Sequence, residues 1–179
     1  MEAVLDRLID LVRENAAWAP YLAFIFAFAE TVAFVSILIP STAILVGVGG
    51  LVATGALEMF PLWLGAALGS VFGSTFSWWL GRRYGPNILS LGPLKDQQQT
   101  IQRGKDAFAR FGPAAVLIGH FFGPLRAVAF VLAGASAMSF LRFQVANLPG
   151  ALAWAYVTPK MGEVGGDVIG HVWRSLTGG

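Results

Sequence analysis

Three ionisable side chains lie in stretches that otherwise read as hydrocarbon: Glu30, His120 and Arg126. Arg126 sits inside "FFGPLRAVAFVLAG", residues 121 to 134, and between Phe111 and Leu141 only His120 shares its ability to ionise. It therefore has no local acid with which to pair. An arginine at the centre of a bilayer costs between roughly 3 and 15 kcal/mol, so such a residue faces a cavity or a partner. Glu30 is the only acid in the apolar part of the first half of the chain. Two buried charges of opposite sign offset part of each other's desolvation cost. Glu30 and Arg126 are expected to approach each other, directly or through water, across a polar cavity. The planar guanidinium of Arg126 can bind two phosphate oxygens while staying protonated, and Glu30 in such a place can carry a proton. His120, six residues before Arg126, offers a second and pH-dependent positive charge for a phosphate. Ser41, Thr42 and Asn147 are the remaining candidates to line the cavity. Plainer roles stand beside each: a pair that only locks two elements together, a neutral histidine hydrogen-bonded within the fold, hydroxyls that satisfy freed backbone, and an asparagine bonded between helices.

The elements that must position these groups follow from composition. Apolar residues make up 56% of the 179 residues and charged ones 12%, about half the charge of an average soluble domain. A soluble chain of this length could not hide so much apolar surface. Residues 59 to 81, "MFPLWLGAALGSVFGSTFSWWLG", are uncharged and long enough to cross a hydrocarbon core of about 30 Å at about 1.5 Å per helical residue. The chain reads as an integral membrane protein. Its first residues, "MEAVLDRLIDLVREN", carry four acids on an amphipathic pattern, unlike the short basic start of a cleaved signal, so an interfacial helix is expected over 1–16. Half of the twelve Lys and Arg fall between Arg82 and Arg110, which places that polar linker in the cytoplasm by the positive-inside rule. A helix over 94 to 111 within it, with Asp96 as N-cap and Gly112-Pro113 as stop, has Ile101, Phe108 and Phe111 on one face and is expected to lie along the membrane.

Two apolar stretches are broken near their middles. The first runs from Trp18 to Leu57 and is interrupted by "IPST" and then "GVGG"; the second runs from Pro113 to Ser136 and is interrupted at "FGPLR". Proline removes a helical hydrogen bond and glycine weakens the helix. Backbone broken at membrane depth is tolerated only inside protein or beside a polar cavity, so each stretch is predicted to be a re-entrant helical hairpin. The two breaks align: Pro40 with Pro124, Ala43 with Ala127, Ile44 with Val128 and Gly50 with Gly134, and each is followed by an uncharged span containing tryptophan. The expected fold is all-α, with two inverted repeats, each a hairpin plus a transmembrane helix. As one membrane domain it divides into the N-terminal helix (1–16), first repeat (17–81), basic linker (82–111), second repeat (112–161) and polar C-terminal tail (162–179). Inverted repeats with broken helices place a substrate site near the midplane. Counting crossings from the linker puts both termini outside. Gly65, Gly69 and Gly73 recur every four residues and are expected to allow close helix packing, and Trp78, Trp79, Arg82 and Arg83 to form an interfacial belt.

This pattern resembles the DedA family of bacterial membrane proteins, whose fold is shared with eukaryotic VTT-domain lipid scramblases. The resemblance covers residues 20 to 162. Glu30 matches the first of two acids twelve residues apart in the family, and Arg126 the second of two arginines six apart; "GASAMSFLRFQVANLPGALAW" (134 to 154) resembles the segment that follows. Thr42 stands where the second acid belongs and His120 where the first arginine belongs, so one negative and one mostly positive charge have gone together. The resemblance implies a multi-pass protein of the bacterial inner membrane that moves a membrane phospholipid or a polyprenyl phosphate, such as undecaprenyl phosphate, between leaflets. It also implies a link to the proton gradient or membrane potential. Arg126 and His120 would then meet the phosphate and Glu30 would couple the proton.

Other functions are weighed against this. A small-ion or drug:proton antiporter is the alternative, with Glu30 exchanging protons and no lipid moving. A lipid-phosphate hydrolase finds Ser41, His120 and Glu30 but no recognisable signature, so the protein is not expected to be an enzyme. A structural or assembly role accommodates the hairpins and predicts that losing Arg126 harms folding more than activity. No cysteine is present, which excludes disulfide and thiolate chemistry. Two histidines without nearby acids argue against a resident metal, and no cofactor is expected. The net charge of +2 does not argue for nucleic acid. The lipid bilayer is the expected partner, and a homo-oligomer is left open.

Overall fold

The computed structural model describes residues 14–32, 41–85, 87, 96 and 98–177, and among them it contains helices and turns but no strand. The helices are α1 (Ala19–Thr31), α2 (Ser41–Ala53), α3 (Met59–Tyr84), α4 (Gln98–Phe111), α5 (Ala114–Gly119), α6 (Gly123–Ala135) and α7 (Phe140–Thr177). A single 3-10 turn, Ala16–Trp18, leads into α1. Most of the expected N-terminal helix, Ile101, and the residues of the first break before Ser41 lie outside the described residues or side chains, as do the side chains of Ser41 and Thr42.

Among the described residues α3 is the helix long and apolar enough to cross a membrane by length and composition. Its 26 residues extend about 39 Å. By contrast α1, α2 and α6 have 13 residues each and α5 only 6, about 20 Å and 9 Å of helix. No one of these short helices spans a hydrocarbon core of about 30 Å.

Glycine decides how the short helices sit on the long ones. Without a Cβ, Gly65, Gly69 and Gly73 of α3 lie against the backbone of Pro20, Phe24 and Phe28 of α1. The two series rise together, so α1 and α3 run parallel, in contact every turn, as small residues in a membrane allow. At the other end of α3, Gly134 of α6 rests on Trp78 and Arg82, and Gly81 rests on Val131. Helix α7 begins at this same end, where Phe140 meets Trp78, and runs back so that Pro159 and Gly162 reach Gly49 and Val46 of α2. Both ends of the α1–α2 unit thus lie at the start of α3, and the end of α6 lies at its finish. Packing is exchanged: α2 leans chiefly on α7 and α6 on α3, while α1 and α2 barely touch.

Two apolar clusters result. One gathers Ala23, Ala27, Leu45, Leu62, Ala66 and Trp154 from α1, α2, α3 and α7. The other gathers Val116, Phe130, Ala133 and Phe143 with Trp78 and Phe108. Trp78 therefore does not join an interfacial belt: it stacks on Phe143, with 5.8 Å between ring centroids, because its face of α3 meets α6 and α7. Trp79, one residue on, is exposed, and Arg82 and Arg83 are exposed too. Phe108 seats α4 on this cluster, and Gly112, at φ 53°, ends that helix in the left-handed region open to glycine. The expected polar tail is a second difference, since α7 continues unbroken to Thr177. Gly162 is tucked against α2 and the Lys160 ammonium donates to Glu163 at 2.8 Å, so the helix keeps its partners where composition turns polar.

Candidate functional site

The second break forms as its residues require. After α5 the chain leaves helical geometry at Phe122, with φ −114° and ψ 58°, and restarts with Pro124 in the first turn of α6, where a proline costs no hydrogen bond. Arg126 follows in that same first turn, inside the protein and 0% exposed.

Glu30 reaches it from the last turn of α1. Thr31 returns its hydroxyl to the Ala27 and Phe28 carbonyls at 2.9 Å, and Ser77 of α3 donates to the Thr31 carbonyl at 2.7 Å. This end of α1 is thereby fixed to α3, and the Glu30 carboxylate pairs with Arg126 Nη2. Glu30 is 5% exposed, so both members of the pair are covered. The expected open polar cavity around them is closed in this arrangement. Trp154 of α7 completes the enclosure, with the guanidinium carbon 4.6 Å from its ring centroid. Sequence reading noted this tryptophan only as a feature of the second span. Its place over a cation depends on how α6 and α7 cross.

The pair does not exhaust the arginine. Nε and Nη1 of Arg126 are buried without a hydrogen-bond partner among the described residues. A guanidinium has five N–H donors in a fixed fork, and a buried donor left unmet costs about 1 to 3 kcal/mol. The guanidinium therefore keeps donors that Glu30 does not take up.

His120 behaves differently. It is also 0% exposed, yet both ring nitrogens are engaged: Nε2 lies 3.0 Å from Asn147 Oδ1 and Nδ1 lies 3.4 Å from Ser70 Oγ. Asn147 donates through Nδ2 to Gln144 Oε1 at 3.0 Å, and Gln144 donates in turn to Thr75 Oγ1 at 2.8 Å. Because Asn147 spends its amide on Gln144, its oxygen must accept from His120 Nε2–H, which leaves Nδ1 to accept from the Ser70 hydroxyl. The chain of bonds ties the second break to α3 and α7. Gly150 makes room for it, since a Cβ there would come within 2.5 Å of His120 Cδ2. Ser70, Gln144 and Thr75 escaped the sequence reading, since their partners lie 50 and 69 residues away.

Glu30 and Arg126 are thus brought together, and His120 and Asn147 form a neighbouring network without a hydrogen bond to Arg126. Among the described residues no three His, Asp or Glu side chains gather as a metal site would need.

Comparison with known proteins agrees with the architecture. A model of the VTT domain matches residues 39–164. The chain is 27% identical over 154 residues to inner membrane protein YabI of Escherichia coli, an overlap of 86% of this chain and 59% of that protein. It is 32% identical over 139 residues to the uncharacterized membrane protein Rv2637 of Mycobacterium tuberculosis, covering 74% of this chain and 64% of that one. With the uncharacterized membrane protein slr0232 of Synechocystis the figures are 29% over 133 residues, 73% and 61%. The chain spans about three fifths of the length of these curated relatives. No solved structure matches it.

Proposed function

Because the chain belongs to the VTT-domain family, the DedA family of membrane proteins, we propose that it carries a phosphate-headed lipid between leaflets, with Arg126 as the headgroup's seat. The observation that carries this reading is a buried arginine whose fork is only partly used. A phosphate takes the donors that Glu30 leaves open, and neutralising it lowers the barrier that hydrocarbon sets against a charged headgroup. Glu30 holds the cation while no lipid is bound and is free to take a proton when phosphate displaces it. A polyprenyl phosphate such as undecaprenyl phosphate is the substrate that the family resemblance implies.

The packing supports two re-entrant hairpins in inverted orientation. Neither α1 and α2 nor α5 and α6 is long enough to cross, and the two units return to opposite ends of α3. Each second arm, α2 or α6, leans on the long helix of the other half. Such an exchange lets the halves rock about a fixed midplane site. In this reading His120 holds the second break in place through Ser70 and Asn147, and the closed pair is one state of the cycle.

The test is transfer of undecaprenyl phosphate, beside a labelled phospholipid, across liposomes holding wild type, Arg126→Ala or Glu30→Gln. Loss of carrier-lipid transfer in a well-folded Arg126→Ala supports the reading. A wild type that moves neither lipid under any gradient, but moves protons against a small cation, overturns it in favour of an antiporter.

A further inference from the structure

One apolar gap in the first half of the molecule has no role in the charge site. It lies where α1 and α2 fail to meet, with a cavity of about 340 Å³ lined by Leu22, Phe26, Ile44, Val48, Leu51 and Leu62. Among the described residues, Asn15 and the indole of Trp18, both at its outer end, are the polar groups on its wall. The gap exists because α1 is drawn onto α3 by the glycine row and α2 onto α7 by Gly49 and Gly162, leaving nothing to pull the two short helices together. It follows α1 from Asn15 to Phe26, about 16 Å of helix and so about half of a hydrocarbon core of about 30 Å. Phe26 is one turn before Glu30 on α1, so the inner end of the gap lies about one helical turn from the residue that pairs with Arg126.

We infer that this gap seats one hydrocarbon chain of the lipid whose phosphate Arg126 receives, the first carbons beside Phe26 and Ile44 and the rest running outward along Val48 and Leu22. The inference rests on the lipid-transport reading for the headgroup but not for the chain. Its argument is the match between wall and surroundings. An apolar cavity stays dry, Leu22 is exposed on its rim, and the medium around a membrane helix is acyl chain. The wall has no donors or acceptors for a headgroup beyond its outer mouth. A groove one leaflet deep whose inner end is one helical turn short of the Glu30–Arg126 pair suits an amphiphile with an anionic head and a single extended tail.

The test uses the full chain in liposomes with phosphatidic acid carrying a photoactivatable diazirine on its acyl chain, followed by mapping of adducts. Wild type is expected to carry adducts on Leu22, Phe26 or Val48. Val48→Trp, which fills the gap from a half-buried position, is expected to lose them by about fivefold and to slow lipid transfer by a similar factor, while Val145→Trp, at an exposed position outside the gap, keeps both. Adducts confined to other faces, or unchanged in Val48→Trp, overturn the seat. So does a pair of cysteines at positions 8 and 48 that crosslinks and excludes the probe, since the apolar stripe of residues 4 to 12 would then be the occupant; the cysteine-free chain makes that pair unambiguous. Wild type that labels in the gap yet moves no lipid sinks the transport reading and leaves the seat standing. Wild type that moves lipid as fast as a labelled, well-folded Val48→Trp sinks the seat alone.

Discussion

Arg126 and His120 stand six residues apart, both fully buried, and their surroundings are opposite in kind. His120 has each ring nitrogen matched, and the bonds continue through Asn147 and Gln144 to Thr75. Arg126 has one carboxylate, one aromatic face and two nitrogens unmet. A satisfied network rigidifies what it joins; a partly satisfied cation holds a position that a ligand can improve. The contrast separates a group whose bonding capacity the fold uses up from one whose fork the fold leaves partly open.

The sharpest way to break the comparison is to remove the cation. Arg126→Ala leaves Glu30 buried without its partner and is expected to cost about 3 to 5 kcal/mol of stability, with lipid transfer down at least about a hundredfold from the loss of two charge-assisted bonds. Thermal unfolding in detergent and the liposome assay read the two separately. Glu30→Gln combined with Arg126→Met removes both charges, and is expected to recover most of that stability and none of the transfer. If the double variant transports, Arg126 is a structural lock.

Next in size is the glycine row. Gly69→Val puts a branched side chain against the Phe24 carbonyl, and overpacking of this kind costs about 1 to 3 kcal/mol; α1 would be pushed off α3 and Glu30 carried away from Arg126. A crosslink between cysteines introduced on α1 and α3, weaker in the variant, is the measurement. His120→Ala comes third. It orphans Asn147 Oδ1 and the Ser70 hydroxyl at about 1 to 3 kcal/mol, with transfer reduced in step with the folded fraction and no further. A loss of transfer well beyond the loss of fold would move His120 into the binding group. The smallest effect is expected for Trp154→Leu, which removes a cation–π contact worth about 0.5 to 2 kcal/mol and shifts the half-saturating lipid concentration by about twofold to thirtyfold.

Much of the site was legible because burial of charge has few solutions. An unpartnered arginine in an apolar stretch and a single acid in the apolar part of the other half imply each other, and the structure joins them. The break at Phe122 was legible from glycine and proline, and close packing along α3 from glycines every fourth residue, though its partner, α1, was not. What escaped has a common cause. Trp154 lies 28 residues from Arg126, and Ser70 lies 50 from His120, so neither could be matched by local spacing. Trp78 and Trp79 are adjacent and equally apolar, yet one is stacked in the core and one faces out, since 100° of helical rotation separates them and only the placement of α6 and α7 says which face is inside.

By itself, then, the sequence determined that the chain belongs in a membrane, where its helices break, and which two charges had to find each other, because each follows from the cost of polar groups in hydrocarbon. Tertiary structure alone decided that α2 leans on α7 and α6 on α3, that the arginine keeps free donors while the histidine does not, and that α1 and α2 stand apart over an apolar gap. Those outcomes depend on how close two backbones can come at particular crossings, and closeness is a property of pairs of helices that no single stretch of residues contains.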